Sequence, residues 1–209
     1  MRVGCWTIVF AVVIGFLFEF AAPFFNQDHS KFQEYQNATP WLLLHAATGS
    51  GALLFGLFQF LPTDRCRNRW LHFAVGTAYV GCVFPSCVSA FYLASITPRG
   101  SVFALGLSCQ SAIWLVATLI ACINLCRRRY RQHSEWMLRS YVVTFSFVTF
   151  RSTVILLTYA GIGTEVERFN IASWIGWCLP LAASEMTIRT KRSTGDTELN
   201  THQSTAHGA

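Results

Sequence analysis

Seven side chains capable of acid–base or ligand chemistry, Glu19, His45, His72, His133, Arg139, Arg151 and Glu185, lie within or at the ends of long apolar runs. An ionisable group inside a bilayer costs about 2.5–3.5 kcal/mol on insertion scales, so such groups face a bundle interior and mark function. Three chemistries suit this set. Neutral imidazole ligates haem iron, and facing histidines hold b-type haem within membrane bundles. Histidine, arginine and glutamate together can move protons on a lipophilic substrate. All of them can also act only as hydrogen-bonding links between helices, or snorkel to the nearest water.

Spacing sorts these residues. His133, Met137, Ser140, Thr144, Phe147 and Arg151 repeat at helical intervals, so they share one stripe. Eighteen residues make five turns, which puts His133 and Arg151 about 27 Å apart at opposite ends of that stripe. Glu185 shares a stripe with Trp174, Cys178 and Leu181, and His72 precedes Gly76 and Tyr79 on another. Two clusters result. One, expected at the inner membrane face, holds His72, His133, Arg139 and Glu185. The other, expected at the outer face, holds Glu19, His45 and Arg151.

The elements that must position these groups are apolar runs at about 6–24, 41–61, 70–95, 102–125, 136–160 and 170–187. Each is long enough to cross a ~30 Å hydrocarbon core, which requires roughly 20 residues. Arg2, Arg65, Arg67, Arg69, Arg127, Arg128, Arg129, Arg131, Arg189, Lys191 and Arg192 fall on one side of the runs. Only Lys31, Arg99 and Arg168 fall on the other. That asymmetry predicts cytosolic termini. The expected fold class is an all-α membrane protein, a six-transmembrane helical bundle with N-in/C-in orientation over residues 1–192. Residues 193–209 lack an apolar period and are expected to form a disordered cytosolic tail. The first run resembles a signal peptide, but Glu19 and the run's length favour a retained helix.

Composition excludes other classes. Hydrophobic residues make up 53% and charged residues 12%, against roughly 25% charged in soluble domains. The net charge of +6 therefore reports membrane orientation rather than nucleic-acid binding. The bilayer is the expected partner, with a lipophilic small molecule as a further one. Cys82, Cys87, Cys109, Cys122 and Cys178 lie within runs, whereas Cys5, Cys66 and Cys126 lie at or near the inner ends, so no external disulfide is expected. The inner-end three are candidates for acylation. Asn37-Ala38-Thr39 is a glycosylation sequon on the expected outer side, and Pro40 after it lowers its efficiency. The stretch His45–Ala52 is rich in small residues and reads as a helix-packing seam.

Four stretches carry a family resemblance: His45 with Gly56-Leu57-Phe58-Gln59-Phe60; Arg69-Trp70-Leu71-His72 with Gly76 and Tyr79; His133 through Tyr141; and Trp174, Trp177 and Glu185. Over about residues 40–187 the chain resembles the membrane proteins grouped as domain of unknown function 2306. Phe73 departs from that pattern, which leads one to expect arginine after the histidine. The resemblance implies a small helical bundle and leaves activity open. The residues admit three readings: a haem-binding or redox protein using His72 and His133, with Arg139 on a haem propionate; an enzyme or accessory factor for a lipophilic metabolite; or a structural or transport component.

Overall fold

The computed structural model describes residues 10–25, 36–60 and 69–207, and over these it is helical throughout, with no strand. Arg2, Cys5, Lys31, Arg65, Cys66 and Arg67 lie outside the described residues. The first helix, α1, spans Phe10–Ala21 and closes in a π-helical turn at Leu17–Ala21. Single 3-10 turns follow at Ala22–Phe25 and Gln36–Ala38, the latter with Asn37 exposed. Then come α2 (Thr39–Phe60), α3 (Arg69–Ser95), α4 (Ser101–Cys126), α5 (Tyr130–Tyr159) and α6 (Glu165–His207).

Helices α2 to α5 hold 22, 27, 26 and 30 residues, hence about 33 to 45 Å at 1.5 Å per residue. These four are long and apolar enough to cross a bilayer, where the sequence leads one to expect six. Helix α1 is apolar but short over its described part, and the expected run starts before residue 10. In α6, Asn170 and Glu185 interrupt the apolar segment. The backbone of α6 stays helical to His207, through the segment whose composition suggests disorder.

Short turns make consecutive helices antiparallel neighbours. Packing joins α2 to α3, α3 to α4, α4 to α5 and α5 to α6, and α6 returns onto α4. Helix α1 lies on α2, where Val13 is buried among Leu53, Leu57 and Val148. The α4–α5 turn illustrates local control. Arg128 adopts φ 56°, and Arg129 N–H bonds to the Asn124 carbonyl at 2.9 Å, which ends α4 abruptly. Helix seams need small residues. A Cβ on Gly176 would sit 3.0 Å from the Phe150 backbone, so α6 and α5 meet at near-backbone contact.

Helix α6 starts with a capping box, Thr164-Glu165-Val166-Glu167. The Glu167 carboxylate accepts hydrogen bonds from Thr164 N–H at 2.7 Å and from its hydroxyl at 2.9 Å. These bonds, the backbone one first, hold the carboxyl below its ordinary value of 4.5. A depressed folded-state value means that the cap is fully present above the ordinary value and weakens as pH falls through the lower folded one. The protection of amides 164–168, taken relative to intrinsic exchange at each pH, should therefore fall on acidification of the wild type. Glu167→Gln should show low protection already at neutral pH and little further loss in acid.

Candidate functional site

Five helices converge on a cavity of about 220 Å³, α3 contributing Ala90 and Leu93. From α2 it takes Leu42, His45, Ala46, Gly49, Ser50 and Leu53, spaced 3, 4, 7, 8 and 11 residues after the first, which is a single helical face. From α4 it takes Phe103, Leu107, Gln110, Ser111 and Trp114, again on one face, and from α5 Ser146, Phe147, Phe150 and Arg151. The end of α1 supplies Phe16, Leu17, Phe20 and Ala21. The small residues of α2 thus do more than pack. Gly49 sits against Ser86 of α3, as a seam requires, while Ala46, Gly49 and Ser50 also leave the space open.

Few polar groups enter this apolar wall, and each is oriented. His45 Nδ1 lies 3.1 Å from the Ser86 carbonyl and 3.3 Å from the Ser86 hydroxyl; donation to the carbonyl, the nearer of the two and an acceptor only, puts the proton on Nδ1. In the neutral ring that leaves Nε2 with the lone pair, the atom suited to take a proton or accept a hydrogen bond. Phe147 packs edge-on to the imidazole, with ring centroids 5.5 Å apart. Gln110 donates through Nε2 to Ser146 Oγ at 2.7 Å, which leaves its carbonyl oxygen as an acceptor. The Arg151 guanidinium lies 5.4 Å from the Phe150 ring centroid and 5.7 Å from that of Phe20, within cation–π range. A fixed imidazole and a cation on one low-dielectric wall can transfer a proton and stabilise developing negative charge.

A buried hydroxyl network holds the cavity floor. Trp114 lines the cavity and donates its indole N–H to Tyr79 Oη at 3.3 Å. Tyr79 Oη meets Ser140 Oγ at 2.6 Å and Thr144 Oγ1 at 2.9 Å, and Thr118 Oγ1 meets Ser140 Oγ at 2.7 Å. Thr118 also reaches the Trp114 carbonyl at 2.8 Å, and Thr144 reaches that of Ser140 at 3.0 Å. Four hydroxyl protons and one indole proton serve six close contacts, so at least one proton must be shared or alternate between two acceptors. This cluster ties α3, α4 and α5 together at the centre of the bundle.

Of the expected outer cluster, His45 and Arg151 come together on the cavity wall. Glu19 does not join them; it is exposed on the π-helical turn of α1. In the expected inner cluster Arg139 and Glu185 pair across α5 and α6. Arg139 Nε donates to Glu185 Oε1, Nη2 donates to Oε2 at 3.1 Å, and the guanidinium stacks 4.6 Å from the Trp136 ring centroid. His133 bonds instead to α4, its Nδ1 donating to the Ala121 carbonyl at 2.9 Å. His72 is exposed at the start of α3 among exposed Trp70, Leu71 and Phe73. An exposed His72, and an Arg139 already forked onto Glu185, do not fit a bis-histidine haem site with a propionate clamp. Among the described residues, no three His, Cys, Asp or Glu side chains converge as a metal site.

Gln110, Trp114, Thr118 and Ser146 escape a search restricted to ionisable groups. Their signal is nonetheless present: Gln110, Trp114 and Thr118 recur every four residues on α4, and Ser146 lies two residues from Thr144 on α5.

Fold and cavity define a class, the multi-pass helical membrane proteins with a side-chain-lined site inside the bundle. Within it, a family model described as "Predicted membrane protein (DUF2306)" matches residues 42–188. The chain belongs to that family, and His45, Gln110 and Arg151 all lie in the matched region. No curated protein and no solved structure matches the chain.

Proposed function

We propose that this is a six-span protein with cytosolic termini whose cavity receives the polar end of a membrane-dissolved lipophilic molecule, as an enzyme or accessory factor in lipophilic metabolism. The observation that carries the reading is the placement of His45, Gln110 and Arg151 on the wall of one largely apolar cavity. Binding sites for small molecules have this composition: largely apolar, with a few oriented polar groups. An arginine within a membrane bundle is costly, and a site that uses its charge offsets that cost with function. His45 Nε2 would exchange a proton with the guest, and the Gln110 carbonyl oxygen would accept a hydrogen bond from it.

Orientation rests on the arginine asymmetry and on the sequon. Glycan-acceptor sites inserted at 28–36 should be modified, while sites inserted at 127–132 should not. The reverse pattern would overturn the topology. The cavity reading is tested by mass spectrometry of small molecules carried through purification in nanodiscs. Wild type should retain a discrete lipophile, and Ala46→Trp, which fills the cavity, should lose it while keeping its melting temperature. Identical small-molecule profiles would contradict the reading.

A further inference from the structure

We infer that the guest is a lipophile whose polar end carries at least two hydroxyl groups, held by proton acceptors on the cavity wall. The guest class rests on the cavity reading above and is set by the protons that the wall can and cannot supply.

His45 gives its one ring proton, on Nδ1, to the Ser86 carbonyl of α3, so Nε2 keeps a lone pair. Gln110 is oriented by a different device. Ser146 Oγ gives its single proton to the Val143 carbonyl, so toward Gln110 it can only accept. The amide nitrogen of Gln110 therefore faces Ser146, at 2.7 Å, and the amide oxygen is turned away from it.

That oxygen has no partner among the described residues, yet it is not sealed in protein. Gln110 is only 7% exposed, but the fully buried side-chain oxygen or nitrogen left without a partner among the described residues is Asn170 Oδ1. The Gln110 oxygen is thus open to the space that its side chain lines, and so is His45 Nε2. Ser111, next to Gln110 on the lining and 5% exposed, adds a hydroxyl. Other buried hydroxyls turn back onto their own helix, as Thr118 does to Trp114 and Thr144 to Ser140. Ser111 Oγ makes no such bond among the described residues and is free to donate or accept. Arg151, also on the wall, is engaged by a further contact of its own, and the guest asks nothing of it.

Two acceptors without protons and one adaptable hydroxyl therefore look onto one largely apolar space. Water satisfies such groups in an empty site, and a guest that displaces water must bring the same protons or leave both acceptors bare. Ketone, ester and ether oxygens would set lone pair against lone pair there. Two O–H groups on one lipophile instead give one proton to His45 Nε2 and one to Gln110 Oε1, and a hydroxyl oxygen of the guest can accept from Ser111. The rest of the lining, Leu53, Leu107, Trp114 and Phe147 among it, takes the carbon frame.

The test uses full-length protein in nanodiscs, with protein-free nanodiscs as background. Two tritiated probes carry paired hydroxyls: decylresorcinol, where they are phenolic, and a vicinal decanediol, where they are aliphatic. Each has a competitor without O–H donors, the difluoro analogue of the resorcinol, close to it in size, and the dimethyl ether of the diol. At least one dihydroxy probe should bind saturably, and the stronger of the two tells whether the guest's hydroxyls are phenolic or aliphatic. Its donor-free analogue should compete about a hundredfold more weakly, about tenfold for each hydrogen bond lost. Gln110→Met keeps the length of the side chain and removes the acceptor, so this preference should shrink by about tenfold. Ala46→Trp should abolish saturable binding.

Donor-free analogues that compete as well as their parents would overturn the hydroxyl assignment and leave the cavity reading intact. A preference unchanged in Gln110→Met, or binding unchanged in Ala46→Trp, would overturn it as well. If neither dihydroxy probe binds while wild type still retains a lipophile that Ala46→Trp loses, the assignment alone fails. No binding together with identical small-molecule profiles would remove the cavity reading too. The wild-type competition decides the assignment even if Gln110→Met fails to fold.

Discussion

Replacing Trp114 by alanine should destabilise the bundle by about 3–5 kcal/mol, the usual range for removing a large buried aromatic side chain. Trp114 is 1% exposed, sits in the core cluster with Ala52, Tyr79, Val83, Cys87 and Val143, and packs edge-on to Phe147 at 5.8 Å between centroids. Its loss opens a hole between α3, α4 and α5 and removes the indole donor to Tyr79. Trp114→Phe separates the two effects. It keeps a ring in the core but removes the pyrrole half with its N–H, so it should cost about 1–2 kcal/mol, well below the loss in Trp114→Ala. Tyr79→Phe should cost more than Trp114→Phe, because the Tyr79 hydroxyl serves Ser140 and Thr144 as well as Trp114. Thermal unfolding in one detergent checks the order. A Trp114→Ala protein as stable as wild type would mean that the floor of the cavity is not the packing centre described here.

The second large effect is expected at the Arg139–Glu185 pair. The Arg139 side chain is 12% exposed and that of Glu185 34%, so truncation of the glutamate leaves a cation partly buried between α5 and α6. Breaking a fully buried pair costs about 3–5 kcal/mol, and the wetter glutamate reduces this to roughly 2–3 kcal/mol. Glu185→Ala and Arg139→Ala should each show most of that loss. The double alanine variant should be more stable than the sum of the two, because no charge is left unmatched. Exchange of the two residues should recover part of the loss, and the remainder should reflect the stacking of Arg139 on Trp136. Strict additivity of the single losses would show that the pair is decorative.

These two sites differ in how clearly the sequence announces them. Arg139 and Glu185 stand out because charge within an apolar run is rare, and counting residues from the helix ends places both at one level. The stripe from His133 to Arg151 is equally legible, and Ser140 and Thr144 are indeed buried along it. His72 misleads for a definite reason. Its neighbours Trp70, Leu71 and Phe73 are all apolar, so the pattern there has no phase and does not say which side of α3 faces the bundle. Glu19 lies on the exposed side of α1, a helix whose one fully buried side chain among its described residues is Val13. The hydroxyl network and Gln110 are quiet in the sequence, since serine, threonine and glutamine are tolerated widely in helices and acquire meaning only when three helices bring them together.

Span number follows the same logic. The four middle runs are apolar over a full span and fold as long helices, α5 in spite of Arg139 and Arg151, whereas α6 interrupts its apolar segment with Asn170 and with Glu185, the latter paired to Arg139 of α5. The cavity itself is not written in any one segment. It arises where the small residues Ala46, Gly49 and Ser50 of α2 face Phe147 and Arg151 of α5, a juxtaposition set by packing.

The most direct test of the central claim is an electron cryo-microscopy map of the protein in nanodiscs made from its own membrane. The account predicts non-protein density in the cavity, beside His45 and Gln110. Density at that place should disappear in Ala46→Trp. A wild-type map in which Phe147, Phe150 or Leu53 closes the space, with no density beside His45 and Gln110, would contradict it.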